Sequence, residues 1–250
     1  MKELKYCEIL RTNINATSMQ DTLDYIDAQI DALRGRYICV SNVHTTVMAY
    51  EDEHYRAIQN SAAMALPDGG PLSRYSRAAG FREAERVTGP DLMVELFRIS
   101  GQKRYRHFFY GSTQQTLDDM RTALLRDYPD MVIAGMYAPP FRALTAEEDR
   151  EITARINDAR PDFIWVGLGA PKQEEWMYDH RGKLDAVAVG VGAGFDYLAG
   201  NIKRAPRLMQ ALCLEWLYRL MQDPKRLWRR YVTTNAKFLR YIVREKLTGK

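Results

Sequence analysis

The 250 residues hold no apolar run approaching the ~18 that a membrane-spanning helix needs. The start, MKELKYCEIL, has no basic segment followed by an apolar stretch and small-residue cleavage site, so no secretory signal is expected. Cysteine is scarce. Cys7, Cys39 and Cys213 are widely spaced in apolar surroundings and read as reduced thiols of a cytosolic protein, which excludes a disulfide framework. The four histidines, His44, His54, His107 and His180, form no pair at metal-ligand spacing, and no Asp-x-Asp tripeptide is present. The adjacent acids Asp118 and Asp119 fall inside a helical pattern, where they are solvated. Neither a bound metal nor a resident cofactor is therefore expected. Neither G-x-G-x-x-G nor G-x-x-x-x-G-K-[ST] occurs. Internal repeats, low-complexity tracts and flexible linkers are missing as well.

Charge is present in both signs, but unevenly. Residues 201–250 carry 13 Lys/Arg against 3 Asp/Glu, a net of +10. The preceding 200 residues carry 23 basic and 29 acidic side chains, a net of −6. A mildly acidic body with a strongly basic end calls for an anionic partner: lipid head groups, diphosphates or nucleic acid.

Short β-branched and aromatic runs predict strands at Tyr6–Leu10, Tyr37–Val43, Ala62–Leu66, Arg106–Tyr110, Val132–Gly135, Phe163–Gly167 and Ala186–Val191. Several are apolar throughout, as strands buried on both faces are. Helical patterns cover 18–33, 44–60, 89–100, 112–127, 145–158 and 171–182. Thr145 with Glu148 reads as a capping box, and Pro171 suits a first helical position. This alternation predicts an α/β fold, a mostly parallel sheet with helices on both faces.

Beyond residue 200 the strand signals stop. Leu208, Leu212, Trp216 and Leu220 recur at one helical face. Asp223-Pro224 ends that helix and opens another, with Leu227, Trp228, Tyr231, Phe238 and Ile242 among basic residues. Such helices either pack on the core with Arg and Lys solvated, or lie on a membrane. The charge excess together with the Trp and Tyr residues favours the membrane surface. The chain thus divides into an α/β body, 1–200, and a basic amphipathic helical appendage, 201–250.

In a parallel sheet, ligands bind beyond the carboxyl ends of the strands. Glycine-containing turns fall there, around Asp68-Gly69-Gly70, Gly111-Ser112, Gly167-Leu168-Gly169 and Gly190-Val191-Gly192. Such turns bring backbone N–H groups to an anion. Asp68 reads either as a carboxylate that takes a proton in the cleft or as a turn residue capping a helix. Asn42 and Asp196 stand at comparable strand ends, each also open to an Asx-turn. Without a metal, a diphosphate needs positive charge from elsewhere, and Arg219, Arg226, Arg229 and Arg230 offer forked donors.

Six ordered blocks then give a resemblance. They are Pro67-Asp68-Gly69; Arg86-Val87-Thr88-Gly89-Pro90-Asp91; Gly167 through Glu174; Gly190-Val191-Gly192 with Phe195-Asp196; Lys203-Arg204-Ala205-Pro206; and Leu214 through Leu220 with Pro224, Arg226 and Trp228 through Tyr231. Over nearly its whole length the chain resembles the WecG/TagA/CpsF family, glycosyltransferase family 26. The resemblance implies a Rossmann-like body and an appendage that touches the membrane and completes the site. It implies inverting, metal-independent transfer from a UDP-sugar donor to a polyprenyl-diphosphate-linked acceptor, undecaprenyl diphosphate carrying a sugar, on the cytoplasmic membrane face. By position, Asp68 looks like the general base, and Asn42, Arg86 and Gln173 like substrate-pocket residues. Arg219, Arg226 and Arg229 look like the arginines on the diphosphate, and Asp196 like a nucleotide contact. Tyr137-Ala138-Pro139-Pro140-Phe141 replaces a Gly-Tyr-Phe turn and looks like the branch acting in exopolysaccharide assembly. Glucose, galactose or a uronic acid therefore stand beside N-acetylmannosamine as donors.

Two other classes fit less well. A nicotinamide-dependent oxidoreductase needs a Gly-rich turn after the first strand, and Cys7 to Asn15 contains no glycine. A nucleic-acid binder needs basic and stacking residues across one module, whereas the basic excess here is confined to amphipathic helices, so no nucleic-acid partner is expected. The sequence leaves a homo-oligomer open.

Overall fold

The computed structural model describes residues 4–212 and 214–248, so Cys213 lies outside the described residues. The chain opens with a hairpin, β1 (Tyr6–Ile9) and β2 (Thr12–Asn15), followed by α1 (Met19–Leu33). The body continues through β3 (Tyr37–Ser41), α2 (Val43–Glu51), α3 (Glu53–Ser61), β4 (Met64–Pro67), α4 (Gly70–Ala78), α5 (Gly89–Lys103) and β5 (Arg106–Gly111). After these come α6 (Gln114–Asp127), β6 (Val132–Tyr137), α7 (Ala146–Asp158), β7 (Phe163–Gly167), α8 (Lys172–Asp179), β8 (Val187–Gly190) and α9 (Gly194–Leu198). Three more helices follow: α10 (Arg207–Ala211), α11 (Glu215–Gln222) and α12 (Pro224–Thr248).

Six strands form one wholly parallel sheet in the order β4-β3-β8-β7-β5-β6. Side chains alternate between its faces, and each face buries a core. On one, Ile38, Val40, Trp165 and Val189 meet Leu92, Leu96 and Phe97 of α5, Leu117 of α6 and Phe195 of α9. On the other, Tyr37, Cys39, Val166 and Ala188 meet Val47 of α2, Ile58 of α3, Ile156 of α7 and Met177 of α8. The expected α/β architecture is therefore present, with helices on both faces. Cys7 and Cys39 are buried free thiols, and burial pushes both above their ordinary pKa.

The hairpin departs from expectation. A single strand over Tyr6–Leu10 was predicted within the main sheet, but β1 and β2 form a separate two-stranded antiparallel sheet. The turn between them places Leu10 and Arg11 at φ 49° and 60°, where Asn-Gly is the usual pair. Complete burial of Leu10 compensates for that conformation. The predicted helix over 44–60 is two helices, because Asp52 caps α3 by accepting from the Tyr55 N–H at 3.1 Å. The capping box at Thr145 and Glu148 forms as expected. Leu208 through Leu220 do not share one helix; α10 ends at Ala211 and α11 begins at Glu215.

The helices leaving β3 and β8 pack on opposite faces, α2 on one and α9 on the other. The two strands are neighbours, so a crevice opens at their carboxyl ends, as at any switch point of a parallel sheet. Along α12, Asp223 accepts from the Arg226 N–H, the cap that Asp223-Pro224 predicted. Leu227 and Phe238 of α12 are buried, the Tyr241 ring packs tilted against Tyr50 of α2 with centres 4.6 Å apart, and Lys237 pairs with Glu51 at 2.8 Å. The opposite face of α12 leaves Trp228, Val232, Leu239, Val243 and Leu247 exposed.

Phe238→Ala should therefore cost about 3 kcal/mol of stability, the usual loss for a buried phenylalanine. Leu239→Ala, one residue along and 64% exposed, should stay within about 0.5 kcal/mol of wild type. Urea unfolding measures both. Equal effects would contradict the seating of α12.

Candidate active site

Asp68 follows β4 at the crevice. Its N–H donates to the Ser41 carbonyl at 2.7 Å, holding the ends of β3 and β4 together. Gly69 then adopts φ 101°, a conformation that disfavours any Cβ, so α4 can begin at once. The Val87 N–H donates to the Pro67 carbonyl at 2.9 Å, which brings Arg86 alongside. Asp68 remains half-buried, open to the crevice.

Around this carboxylate lies a network of opposite charges. Arg86 Nη1 donates to Glu215 Oε2 of α11, and Arg86 Nη2 reaches Asp91 Oδ2 of α5 at 3.5 Å. Arg204 Nη2 donates to Asp91 Oδ1, and Thr88 Oγ1 donates to Asp91 Oδ2 at 2.7 Å. The side chains of Arg86, Asp91, Arg204 and Glu215 are 19–33% exposed. Arg219, one turn after Glu215, places its guanidinium 5.4 Å from the centre of the Tyr197 ring of α9.

These neighbours set the acidity of Asp68. Its pKa is pushed up to about 7, first by desolvation and next by the Glu215 carboxylate. Arg86 pulls it down, Asp91 raises it and Arg219 lowers it. A carboxylate held near neutrality can take a proton from a hydroxyl, and the flanking guanidiniums can receive an anion. The Tyr197 phenol is pushed up mainly by burial and drawn down by Arg219.

The structure thus brings Asp68, Arg86 and Arg219 together. Asn42 sits beside them at the end of β3 and caps α2, its Oδ1 accepting from the N–H groups of His44 and Thr45. His44 is pushed below its ordinary pKa by burial and then by Arg230, so α12 extends its charge to this loop. Gln173 is buried, donating to Glu174 Oε1 at 2.7 Å and accepting from the Gly192 N–H at 3.0 Å. Asp196 accepts from Asn201, which also reaches Thr116 at the start of α6. Arg226 is 68% exposed and pairs with Asp223, and Arg229 is exposed with its guanidinium 5.7 Å from the Trp228 ring centre. Among the described residues no three His, Cys, Asp or Glu side chains converge as metal ligands.

Sequence reasoning passed over Glu215, Asp91, Arg204 and Tyr197. The first three stand inside the blocks that carried the resemblance, where pairing opposite charges between blocks would have found them.

Residues 7–250 match the glycosyl transferase WecG/TagA/CpsF family. A Bacillus spizizenii protein named N-acetylglucosaminyldiphosphoundecaprenol N-acetyl-beta-D-mannosaminyltransferase is 33% identical over 247 residues, covering 91% of this chain and 94% of its own. Its Bacillus subtilis namesake is 34% identical over 238 residues, covering 94% and 89%. A Staphylococcus aureus protein of the same name is 29% identical over 225 residues, covering 89% and 87%.

If Asp68 accepts a proton, turnover must rise as pH climbs through about 7, because only the ionised form is a base. Asp68→Asn should cost roughly 10²–10⁴-fold in rate. Glu215→Gln removes a negative charge that raises the Asp68 pKa, so the acid limb of the pH–rate profile should move to lower pH. An unmoved or upward-shifted limb would contradict the assignment.

Proposed function

The chain belongs to the WecG/TagA/CpsF family of glycosyl transferases, and from that premise we propose that it moves a sugar from a UDP-sugar to an undecaprenyl-diphosphate-linked saccharide. The observation that carries this reading is the Asp68 carboxylate, raised to about 7 and set between Arg86 of the body and Arg219 of α11. The named relatives act at an N-acetylglucosaminyl-diphosphoundecaprenol, and an acceptor of that class fits the basic helices here.

The proposed reaction is one displacement with inversion. The acceptor hydroxyl oxygen bonds to the anomeric carbon as the bond from that carbon to the diphosphate oxygen breaks. The hydroxyl proton passes to Asp68. Negative charge gathers on the departing UDP, and Arg86 and Arg219 stabilise it in place of a metal ion. Asn42 and Asp196 line the donor side of the crevice. Residues 201–250 act as an appendage that completes the site, with Arg226 and Arg229 meeting the acceptor diphosphate from the exposed face of α12.

No helix among the described residues is long and apolar enough to cross a membrane. The exposed apolar row on α12, continued by Trp216 and Met221 of α11, suits shallow insertion among head groups. The protein then works as a peripheral enzyme on the cytoplasmic membrane face. Lys237 is paired with Glu51 and serves to seat the helix.

Incubating the full chain with a panel of UDP-sugars and lipid-linked saccharides, and weighing the glycolipid product, tests the reaction and identifies the donor. Excess chelator should leave the rate unchanged; loss restored by Mg²⁺ or Mn²⁺ would overturn metal independence. Trp228→Ala with Leu239→Ala should weaken binding to anionic vesicles and spare turnover of a soluble acceptor analogue. Equal vesicle binding by that double variant and wild type would remove α12 from the membrane surface.

A further inference from the structure

Beneath the crevice lies a carboxyl group that the reaction above does not use. Glu174, in the first turn of α8, is 1% exposed. Its Oε1 accepts from Gln173 Nε2 at 2.7 Å, while its Oε2 is buried without a hydrogen-bond partner. The other end of the Gln173 amide, Oε1, accepts from the Gly192 N–H at 3.0 Å. Gly192 stands in the turn between β8 and α9 at φ 53°. The amide also packs on Gly190, where an added Cβ would lie 3.1 Å from Gln173 Nε2. Gln173 is therefore held at both ends by protein and carries the position of one loop to another.

An amide has one accepting end and one donating end. A flipped Gln173 would turn its NH2 toward the Gly192 N–H, donor against donor. Ionised, or protonated on Oε2, Glu174 presents an accepting Oε1 and so opposes that flip. What it protects is the β8–α9 turn, which leads through α9 to Asp196 and Tyr197. Tyr197 in turn holds the Arg219 guanidinium against its ring.

We infer that Glu174 is a positioning residue: by accepting from Gln173 it fixes the amide that anchors Gly192, and so sets the turn carrying the nucleotide-side residues. A carboxyl group buried this deeply costs free energy, and the orphaned Oε2 adds to that cost. An apolar residue would fill the same space more stably but would release the amide. Burial pushes the Glu174 pKa up to about 7, opposed first by the bond from Gln173 and also by the Tyr55 hydroxyl. This reading differs from the resemblance, which placed Gln173 on the substrate; here it braces the loop behind it.

The test uses the full chain in four forms besides wild type: Glu174→Gln, Glu174→Leu, Gln173→Ala, and the double variant Gln173→Ala/Glu174→Leu. Backbone hydrogen exchange over residues 190–197 reads the turn directly and needs no ligand. Glu174→Leu and Gln173→Ala should each speed exchange there at least ~10-fold relative to β3, and the double variant should be no faster than either. Glu174→Gln keeps an accepting oxygen and should stay within ~3-fold of wild type, which a loss through packing alone would not reproduce.

Titration with UDP supplies the second readout and rests on the sugar-transfer reading. Wild type and Glu174→Gln should bind alike, and Glu174→Leu at least ~10-fold more weakly. Unchanged exchange in Glu174→Leu, additive effects in the double variant, or Glu174→Gln behaving like Glu174→Leu would each overturn the inference. Failure of wild type to bind UDP would overturn the donor reading alone, since the exchange result stands without it. Should Glu174→Leu fail to fold, Gln173→Ala and Glu174→Gln still decide the matter.

Discussion

The Arg86 guanidinium is the interaction on which the rest of the site depends. It lies between a carboxylate of the body, Asp91, and a carboxylate of α11, Glu215. Left alone beside Asp68, an arginine would hold that carboxyl well into the acidic range. Shared with two other carboxylates, its pull is spent largely elsewhere, and desolvation keeps Asp68 near neutrality. The same contact fixes the start of α11, and hence the place of Arg219. One ion-pair network thereby bears on the protonation of Asp68, the position of Arg219 and the docking of residues beyond 200. Each pair is partly buried, where removing one partner strands the other and costs more than the pair itself contributes.

The long helix α12 shows how a single element serves two surroundings. Leu227, Phe238 and the Glu51 pair with Lys237 commit one face to the body. The other face carries Trp228, Val232, Leu239 and Val243 into solvent among arginines. Apolar residues at that spacing gain nothing from water and suit an amphipathic face at a lipid boundary. The helix with this exposed apolar row is continuous, across one turn at Asp223, with the helix that supplies Glu215 and Arg219. In the proposed reaction, a substrate carried on a lipid diphosphate would reach Asp68 without leaving the surface.

The parallel sheet was legible because its strands are largely apolar and several helices beside it open on Ser, Thr or Asn caps. Phe163–Gly167 is found with its predicted limits, and the Thr145 capping box forms. The hairpin turn was not legible, because Leu10-Arg11 carries no local turn signal and its conformation is stabilised by burial. Asp68 was visible as a strand-end carboxylate, with a capping role also open; the field of Arg86 and Glu215, charges 18 and 147 residues away in sequence, was not visible. Gln173 shows the opposite limit. A polar residue in a glycine-rich loop reads as a ligand contact, and spacing gives no sign of its bonds to Gly192 and Glu174. The basic end was rightly read as amphipathic, yet spacing could not tell which of Leu227, Trp228 and Phe238 faces inward.

The most direct measurement is the titration of the Asp68 carboxyl carbon by NMR in the full chain, with no substrate present. The account predicts an inflection close to pH 7, held there by desolvation and the Glu215 charge against the pull of Arg86 and Arg219. An inflection near the ordinary aspartate value of about 4 would contradict it: Asp68 would be an exposed turn carboxylate, and the network around Arg86 would have no part in tuning a base.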